Sequence, residues 1–149
     1  MAKYVQSLKI PTYLESACFD SNKFKYVLPF IDFVKIELKT VDSDFVDSKH
    51  YPNLIENALD CLRHSITSKK ITYIKIVVSS KTKEEPFKKL LSAIFKVASK
   101  EDLAGFIIQP TYGISEPSLE NLLNLYDIVY PYYKNVRIIP QLQKLMGAR

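Results

Sequence analysis

The sequence predicts one α/β domain, residues 1–149, in which about five parallel strands alternate with helices as part of a half TIM-type barrel. Short apolar or alternating runs recur along the chain, and most intervals between them have helical periodicity, which is typical of βαβ units. Only three glycines are present, which disfavours an all-β protein built on tight hairpins. Charged residues inside the predicted strands disfavour a doubly wound sheet with helices on both faces.

Five segments have the strand pattern, and the second is the clearest. In FVKIELK a charge stands at every second position, so Lys35, Glu37 and Lys39 share one face of the strand. Lys75 interrupts the apolar run of the third strand, and Arg137 stands in the fifth. Sparse charges on one side of adjacent parallel strands indicate the concave face of an open barrel that holds a polar ligand. The predicted strands are residues 10–15, 33–39, 72–79, 104–109 and 136–140.

Apolar residues at helical spacing fill the intervals, most clearly between the third and fourth strands, where lysines occupy the opposite face. The interval before the third strand has the same pattern, with Pro52 near its start, where a missing N–H does little harm. Ser115 is the predicted N-cap of the last helix, and Asp20 or Ser21 opens a shorter helix over residues 24–28. Residues 1–9 are a further helical candidate.

Composition and charge exclude several classes of protein. With 47% hydrophobic and 25% charged residues, the chain is neither disordered nor fibrous. The net charge of +5 is spread along the chain, so we expect a solvated surface, or at most weak anion binding, and no nucleic-acid partner. No run is long enough to cross a bilayer and the start lacks a signal-peptide pattern, which predicts a cytoplasmic protein with no membrane partner. Cys18 and Cys61 are too few for a disulfide framework or a metal site.

Polar residues stand at the predicted carboxyl ends of the strands, where α/β barrels place their working groups. An acid, a lysine and amides gathered there could bind a small molecule with carboxylate, amine or hydroxyl groups, although the alternative is that they face solvent at loop junctions. Lys35 and Lys75 lie deeper in their strands, so each should pair with Glu37 or another acid, because a buried unpaired ammonium is costly. The strand-end residues are Glu15, Lys39, Ser79, Ser80, Gln109 and Gln141.

The order of the strand motifs resembles the second half of a radical S-adenosylmethionine enzyme. PTYLES, IDFVKIELK, YIKIVVSS, FIIQP and NVRIIPQLQKLMG follow one another at plausible spacing from about residue 5 to residue 149. The closest resemblance is to 7-carboxy-7-deazaguanine synthase and related organic-radical-activating enzymes. Each motif is weak alone, and the specificity lies in five motifs in the right order.

The resemblance implies roles for individual residues. Glu37 and Lys39 stand at family positions beside S-adenosylmethionine, and Glu15 stands at the family's glutamate after the first strand, so these three are cofactor-binding candidates. No catalytic residue and no metal ligand is implied. Two positions depart from the family pattern, Cys18 in place of glycine and Gln143 in place of histidine. The residues implied on the substrate side are Lys75, Gln109, Arg137 and Gln141.

The three closely spaced cysteines that bind a 4Fe-4S cluster in the amino-terminal half of family members have no counterpart here, and two cysteines cannot build that site. The resemblance therefore implies a truncated or split radical S-adenosylmethionine-like protein, inactive alone. S-adenosylmethionine is the cofactor it could bind, and the cluster would come only through a partner chain. A half-barrel leaves its first strand edge unpaired, so a second copy of the chain, a separate cluster-bearing half or a local rearrangement should cover it.

With such a half, the implied reaction is ring contraction of a carboxy-tetrahydropterin to 7-carboxy-7-deazaguanine, on the route to queuosine or archaeosine. The alternative is a non-catalytic ligand-binding or assembly module that forms a homodimer. A third hypothesis is an unrelated small α/β protein.

Overall fold

A computed structural model describes residues 2–43, 47–113, 115–142 and 146–147. Within them, helices and strands alternate along the chain, with short 3₁₀ turns at Leu28–Phe30 and Lys100–Asp102. No helix in these ranges is long and apolar enough to cross a bilayer. The helices are α1 Ala2–Ser7, α2 Ser21–Val27, α3 Tyr51–Thr67, α4 Glu84–Val97 and α5 Leu119–Val129. The strands are β1 Tyr13–Ser16, β2 Phe33–Lys39, β3 Ile71–Val78, β4 Leu103–Pro110 and β5 Val136–Ile138.

The five strands form one sheet in the order β1-β2-β3-β4-β5, and every neighbouring pair is parallel. Because each strand is added beside the preceding one by a crossover of the same hand, the connecting helices lie on one face of the sheet. The sheet is open, with β1 and β5 at its edges in the described part of the chain. The predicted α/β partial barrel is confirmed.

The core lies between the helices and the face of the sheet that carries the even-numbered residues of β2, β3 and β4. In β2 the alternation is strict, because Val34, Ile36 and Leu38 are buried while the charged residues between them are partly exposed. The helix residues packed in the same core include Leu62, Leu91 and Leu125. The period-two pattern of β2 therefore separates a helix-covered face from a polar one.

Strand β1 is shorter at its start than residues 10–15 predicted. Pro11 has no N–H to donate, and Thr12 is already bound to the loop before β2. The Thr12 amide donates to Asp32 Oδ2 at 2.7 Å, and the Thr12 hydroxyl donates to the Phe30 carbonyl at 2.7 Å. Pairing with β2 therefore begins at Tyr13 and extends to Ser16.

The predicted N-cap Ser115 is wrong, since α5 begins three residues later with Ser118 as its cap. Ser118 Oγ accepts a hydrogen bond from the Asn121 amide at 3.1 Å. The Ser115 carbonyl instead accepts from the Ser80 amide and the Thr111 hydroxyl, which connects the loops after β3 and β4. Asp20 is confirmed as the N-cap of α2.

Candidate functional site

The face of the sheet turned away from the helices carries the charged strand residues, and we call it the open face. The register places Lys35 opposite Tyr73, Glu37 opposite Lys75 and Lys39 opposite Val77. The pairing of β1 with β2, of β3 with β4 and of β4 with β5 places residues of β1, β4 and β5 on the same side. The open face comprises Tyr13, Glu15, Phe33, Lys35, Glu37, Lys39, Tyr73, Lys75, Val77, Gly105, Ile107, Gln109 and Arg137.

A chain of alternating charges crosses β1, β2 and β3 on this face. Glu15 pairs with Lys35 at 2.7 Å and also with Lys75. Lys75 pairs in turn with Glu37 at 2.5 Å, and Glu37 accepts from Lys39 at 2.8 Å. We call these five residues the ion-pair chain. It confirms that Lys75 pairs with Glu37 and Lys35 with another acid, and it gives each carboxylate two lysine partners.

Lys75 is the most enclosed member of the ion-pair chain, with 4% of its surface exposed. A buried ammonium is tolerated when acidic partners surround it, and here Glu15 and Glu37 approach it from both sides. The position depends on the β1-β2-β3 register, which brings Glu15 across β2 to a lysine sixty residues further along the chain.

The ion-pair chain sets the charge state of its carboxylates. Partial burial raises the pKa of Glu37, but hydrogen bonds from Lys39 and Lys75 outweigh it and hold that pKa below the ordinary value. Burial likewise raises the pKa of Glu15, but hydrogen bonds from Lys35 and Lys75 and the charges of these lysines lower it more, so the net pKa is below the ordinary value. Burial lowers the pKa of Lys35, but hydrogen bonds to Glu15 and Tyr13, together with the negative charge of Glu15, outweigh burial and raise that pKa. The three groups are therefore charged at neutral pH.

The structure brings four of the seven predicted site residues together, since Glu15, Glu37, Lys39 and Lys75 belong to the ion-pair chain. The other three lie apart from it. Gln109 is half-buried opposite Val77, two strands from Lys39. Arg137 is exposed opposite Ile107, three strands from Glu37, and Gln141 is half-buried beyond the end of β5.

The other strand-end candidates have local roles in the loops. Ser79 is fully buried, and its hydroxyl accepts from the Lys81 amide at 3.2 Å. The Ser80 amide donates to the Ser115 carbonyl at 2.8 Å. Gln143, the residue at the family's histidine position, lies outside the described residues.

Three buried oxygens in the loop after β2 have no hydrogen-bond partner among the described residues. They are Thr40 Oγ1, Asp42 Oδ1 and Ser43 Oγ. The other Asp42 oxygen accepts from the Lys83 amide at 2.7 Å, which connects this loop to the start of α4. Buried polar atoms normally have partners, so these three oxygens are unusual within the described part of the chain, and their burial keeps them from contact with a ligand on the open face.

Sequence reasoning missed a cavity on the β4–β5 side of the open face. Its volume is about 260 Å³, and its lining includes Tyr73, Gly105, Ile107, Asn135 and Arg137. A Cβ built on Gly105 would lie 2.9 Å from Tyr73 Cδ1, so the absence of a side chain lets the tyrosine ring lie against the backbone of β4. A glycine inside an apolar strand indicates a close approach of another group to the backbone, so Gly105 is the residue in the sequence that points to this cavity.

The two cysteines do not fit a 4Fe-4S cluster, which takes more thiolates than this chain contains. Both belong to the helix-covered core, with Cys18 1% and Cys61 0% exposed. A hydrogen bond between the two thiols lowers the pKa of Cys18 and raises the pKa of Cys61, and burial raises the latter further. Among the described residues, no group of three or more His, Cys, Asp or Glu side chains could hold a metal ion.

Comparison with known proteins gives a structural neighbour. No family model and no curated protein matches the sequence. A solved structure, a domain of pyruvate-formate lyase-activating enzyme from Bacteroides vulgatus, is similar with a TM-score of 0.72. The match covers 93% of this chain and 86% of that domain, at 17% sequence identity. At this identity the likeness establishes the shared fold.

Proposed function

We propose that this chain is a carboxyl-terminal half-barrel of the radical S-adenosylmethionine type, and that it binds S-adenosylmethionine on the open face. The observation that carries the proposal is the ion-pair chain, because it gathers Glu15, Glu37 and Lys39, the three positions that the motifs assign to the cofactor. The structural neighbour, a domain of pyruvate-formate lyase-activating enzyme, supports the same relation.

The groups at the carboxyl end of β2 suit the chemistry of this ligand. S-adenosylmethionine carries a carboxylate, an ammonium and ribose hydroxyls. The Lys39 ammonium can receive the carboxylate, and Glu37, ionised at neutral pH, can receive the ammonium.

The rest of the open face would then form the substrate side. Lys75, Gln109 and Arg137 lie on successive strands of it, and Gln141 follows β5. When bound to a reduced 4Fe-4S cluster, S-adenosylmethionine supplies a carbon radical, and that cluster requires cysteines that this chain lacks. The chain is therefore inactive alone and works with a cluster-bearing partner. We propose the cytoplasm as the location of both. The resemblance to 7-carboxy-7-deazaguanine synthase makes ring contraction of a carboxy-tetrahydropterin the reaction of the joined halves.

Calorimetry with S-adenosylmethionine tests the proposal directly. We expect the wild-type chain to bind it without iron, and Lys39→Gln to weaken binding at least about tenfold through loss of a charge-assisted hydrogen bond. Lys96→Gln on the exposed side of α4 is the matched control and should bind as the wild type does. Absence of binding to the wild type contradicts the proposal, and iron at cluster stoichiometry in the purified chain contradicts its cluster-free state.

A non-catalytic homodimeric module is the second candidate. Both cysteines are buried in the core, so neither is available for chemistry on the open face. Such a module binds a ligand on the open face but gains no activity from any cluster-bearing half. Light scattering measures the molar mass in solution, which distinguishes a homodimer from a monomer that binds a different chain. An adjacent reading frame with three closely spaced cysteines favours the split enzyme instead.

A further inference from the structure

We propose that the cavity between Tyr73 and Arg137 is a binding site for a small aromatic carboxylate, separate from the S-adenosylmethionine position. The cavity lies over β4 and β5, whereas Lys39 lies at the carboxyl end of β2. Tyr73 and Gly105 face one another nearer the amino-terminal ends of their strands. The two places are thus separated both across the sheet and along the strands.

Arg137 supplies the group that would hold the carboxylate. It forms no ion pair and no side-chain hydrogen bond with any described residue. Both acids of the open face, Glu15 and Glu37, are already paired with lysines. A guanidinium presents two parallel N–H donors that match a carboxylate, and the open face has four basic side chains against two acidic ones.

Tyr73 and Gly105 supply the surface for an aromatic ring. Because Gly105 has no side chain, the Tyr73 ring lies against β4 and forms one wall of the cavity. Ile107 and Ile139 add apolar walls, and Asn135 is held at the rim by its hydrogen bond to the Ala104 carbonyl at 3.2 Å. Aromatic rings bind well against such a wall by offset stacking.

The volume selects the size of the ligand. An apolar cavity of about 150 Å³ holds one benzene ring, so the 260 Å³ found here has room for one ring with a carboxylate directed at Arg137. The inference rests on the proposed function only in placing a ligand on the open face, and it requires neither S-adenosylmethionine nor a cluster.

The test is a titration of the full chain, followed by NMR of the backbone amides, with benzoate, acetate and benzyl alcohol as probes. Benzoate should bind with a Kd of about 1 mM, as expected for a ligand of this size, and should shift the amides of Gly105, Ile107 and Arg137. Acetate and benzyl alcohol should each bind at least about tenfold more weakly, because each lacks one of the two recognised groups.

Variants assign the two contacts. Arg137→Gln should weaken benzoate binding at least about tenfold, and Gly105→Ala should weaken it by displacing the Tyr73 ring. Arg63→Gln, an exposed arginine on α3, is the matched control and should leave binding unchanged. Benzoate shifts confined to the helix surface, equal binding of acetate, or equal binding by Arg137→Gln would each overturn the inference. If the wild-type chain binds benzoate but does not bind S-adenosylmethionine, only the proposed function is overturned.

Discussion

Replacing Lys75 with methionine tests whether the ion-pair chain is a mutually dependent unit. Methionine keeps most of the length of the side chain, so the change removes the charge with little loss of volume. It leaves Glu15 and Glu37 with one lysine partner each, Lys35 and Lys39 respectively. The carboxylates of Glu15 and Glu37 then repel one another, because the ammonium that lay between them is gone.

The magnitude follows from the burial of the partners. Breaking a fully buried ion pair costs about 3–5 kcal/mol. Here the Glu15 side chain is 39% exposed and that of Glu37 is 19% exposed, and both retain a lysine, so the cost is reduced by solvent screening. We expect Lys75→Met to lower the free energy of unfolding by about 1–3 kcal/mol at pH 7.

The effect should depend on pH in a defined direction. The pKa values of Glu15 and Glu37 are lower in the folded chain than in the unfolded chain. Their pairing therefore stabilises the wild type above the unfolded pKa, about 4.3 for glutamate, and is lost as the pH falls through the lower folded values. Because Lys75→Met removes part of this pairing, the difference between variant and wild type should shrink below about pH 4.

Urea unfolding followed by circular dichroism at pH 7 and pH 3.5 measures both effects. Lys96→Met, on the exposed side of α4, is the matched control and should change stability by less than about 0.5 kcal/mol. Adding Glu37→Gln to Lys75→Met should recover part of the loss, because it removes one of the two repelling charges. A loss of stability under about 0.5 kcal/mol for Lys75→Met at pH 7, or a loss that does not change in acid, would show that the ion-pair chain is not a mutually dependent unit.

Three further predictions concern the cap, the core and the thiols. Ser118→Ala should cost about 1 kcal/mol of stability in urea unfolding through loss of the α5 cap, whereas Ser115→Ala should cost less than about 0.5 kcal/mol; equal losses would contradict the assignment. Tyr133→Phe should cost about 0.5–1.5 kcal/mol in the same assay, because its hydroxyl donates to the buried Leu103 carbonyl at 2.8 Å, and an unchanged midpoint would contradict it. Cys18 and Cys61 should react with a thiol reagent only on unfolding, and rapid modification of the native chain would contradict their burial.

The sequence predicted those parts of the fold that depend on local pattern. The alternation of β2 fixed its face and bounds, and the Asp20 cap followed from a side chain suited to the orphan amides of α2. The predicted N-cap Ser115 was wrong because two serines, Ser115 and Ser118, precede α5 and either residue can cap a helix. Only the contacts of Ser115 with the loop after β3 show why the helix begins after Ser118.

The sequence indicated which residues form the candidate site better than it indicated which of them contact one another. A lysine inside an apolar strand must find an acid, so a partner for Lys75 could be expected. That Glu15 also reaches it depends on the register across three strands, which no local pattern contains. The cavity beside Arg137 likewise depends on Tyr73 lying against Gly105, two residues brought together only by the pairing of β3 with β4.

The most direct test of ligand binding on the open face is an NMR map of S-adenosylmethionine on the full chain. We expect amide shifts at Glu37, Lys39 and Thr40 and in the loop after β3, at the carboxyl end of the open face. The helix-covered side should remain unchanged. Shifts confined to α3 or α4, or no shifts at ligand concentrations near 10 mM, a range in which even millimolar binders are detected, would contradict it.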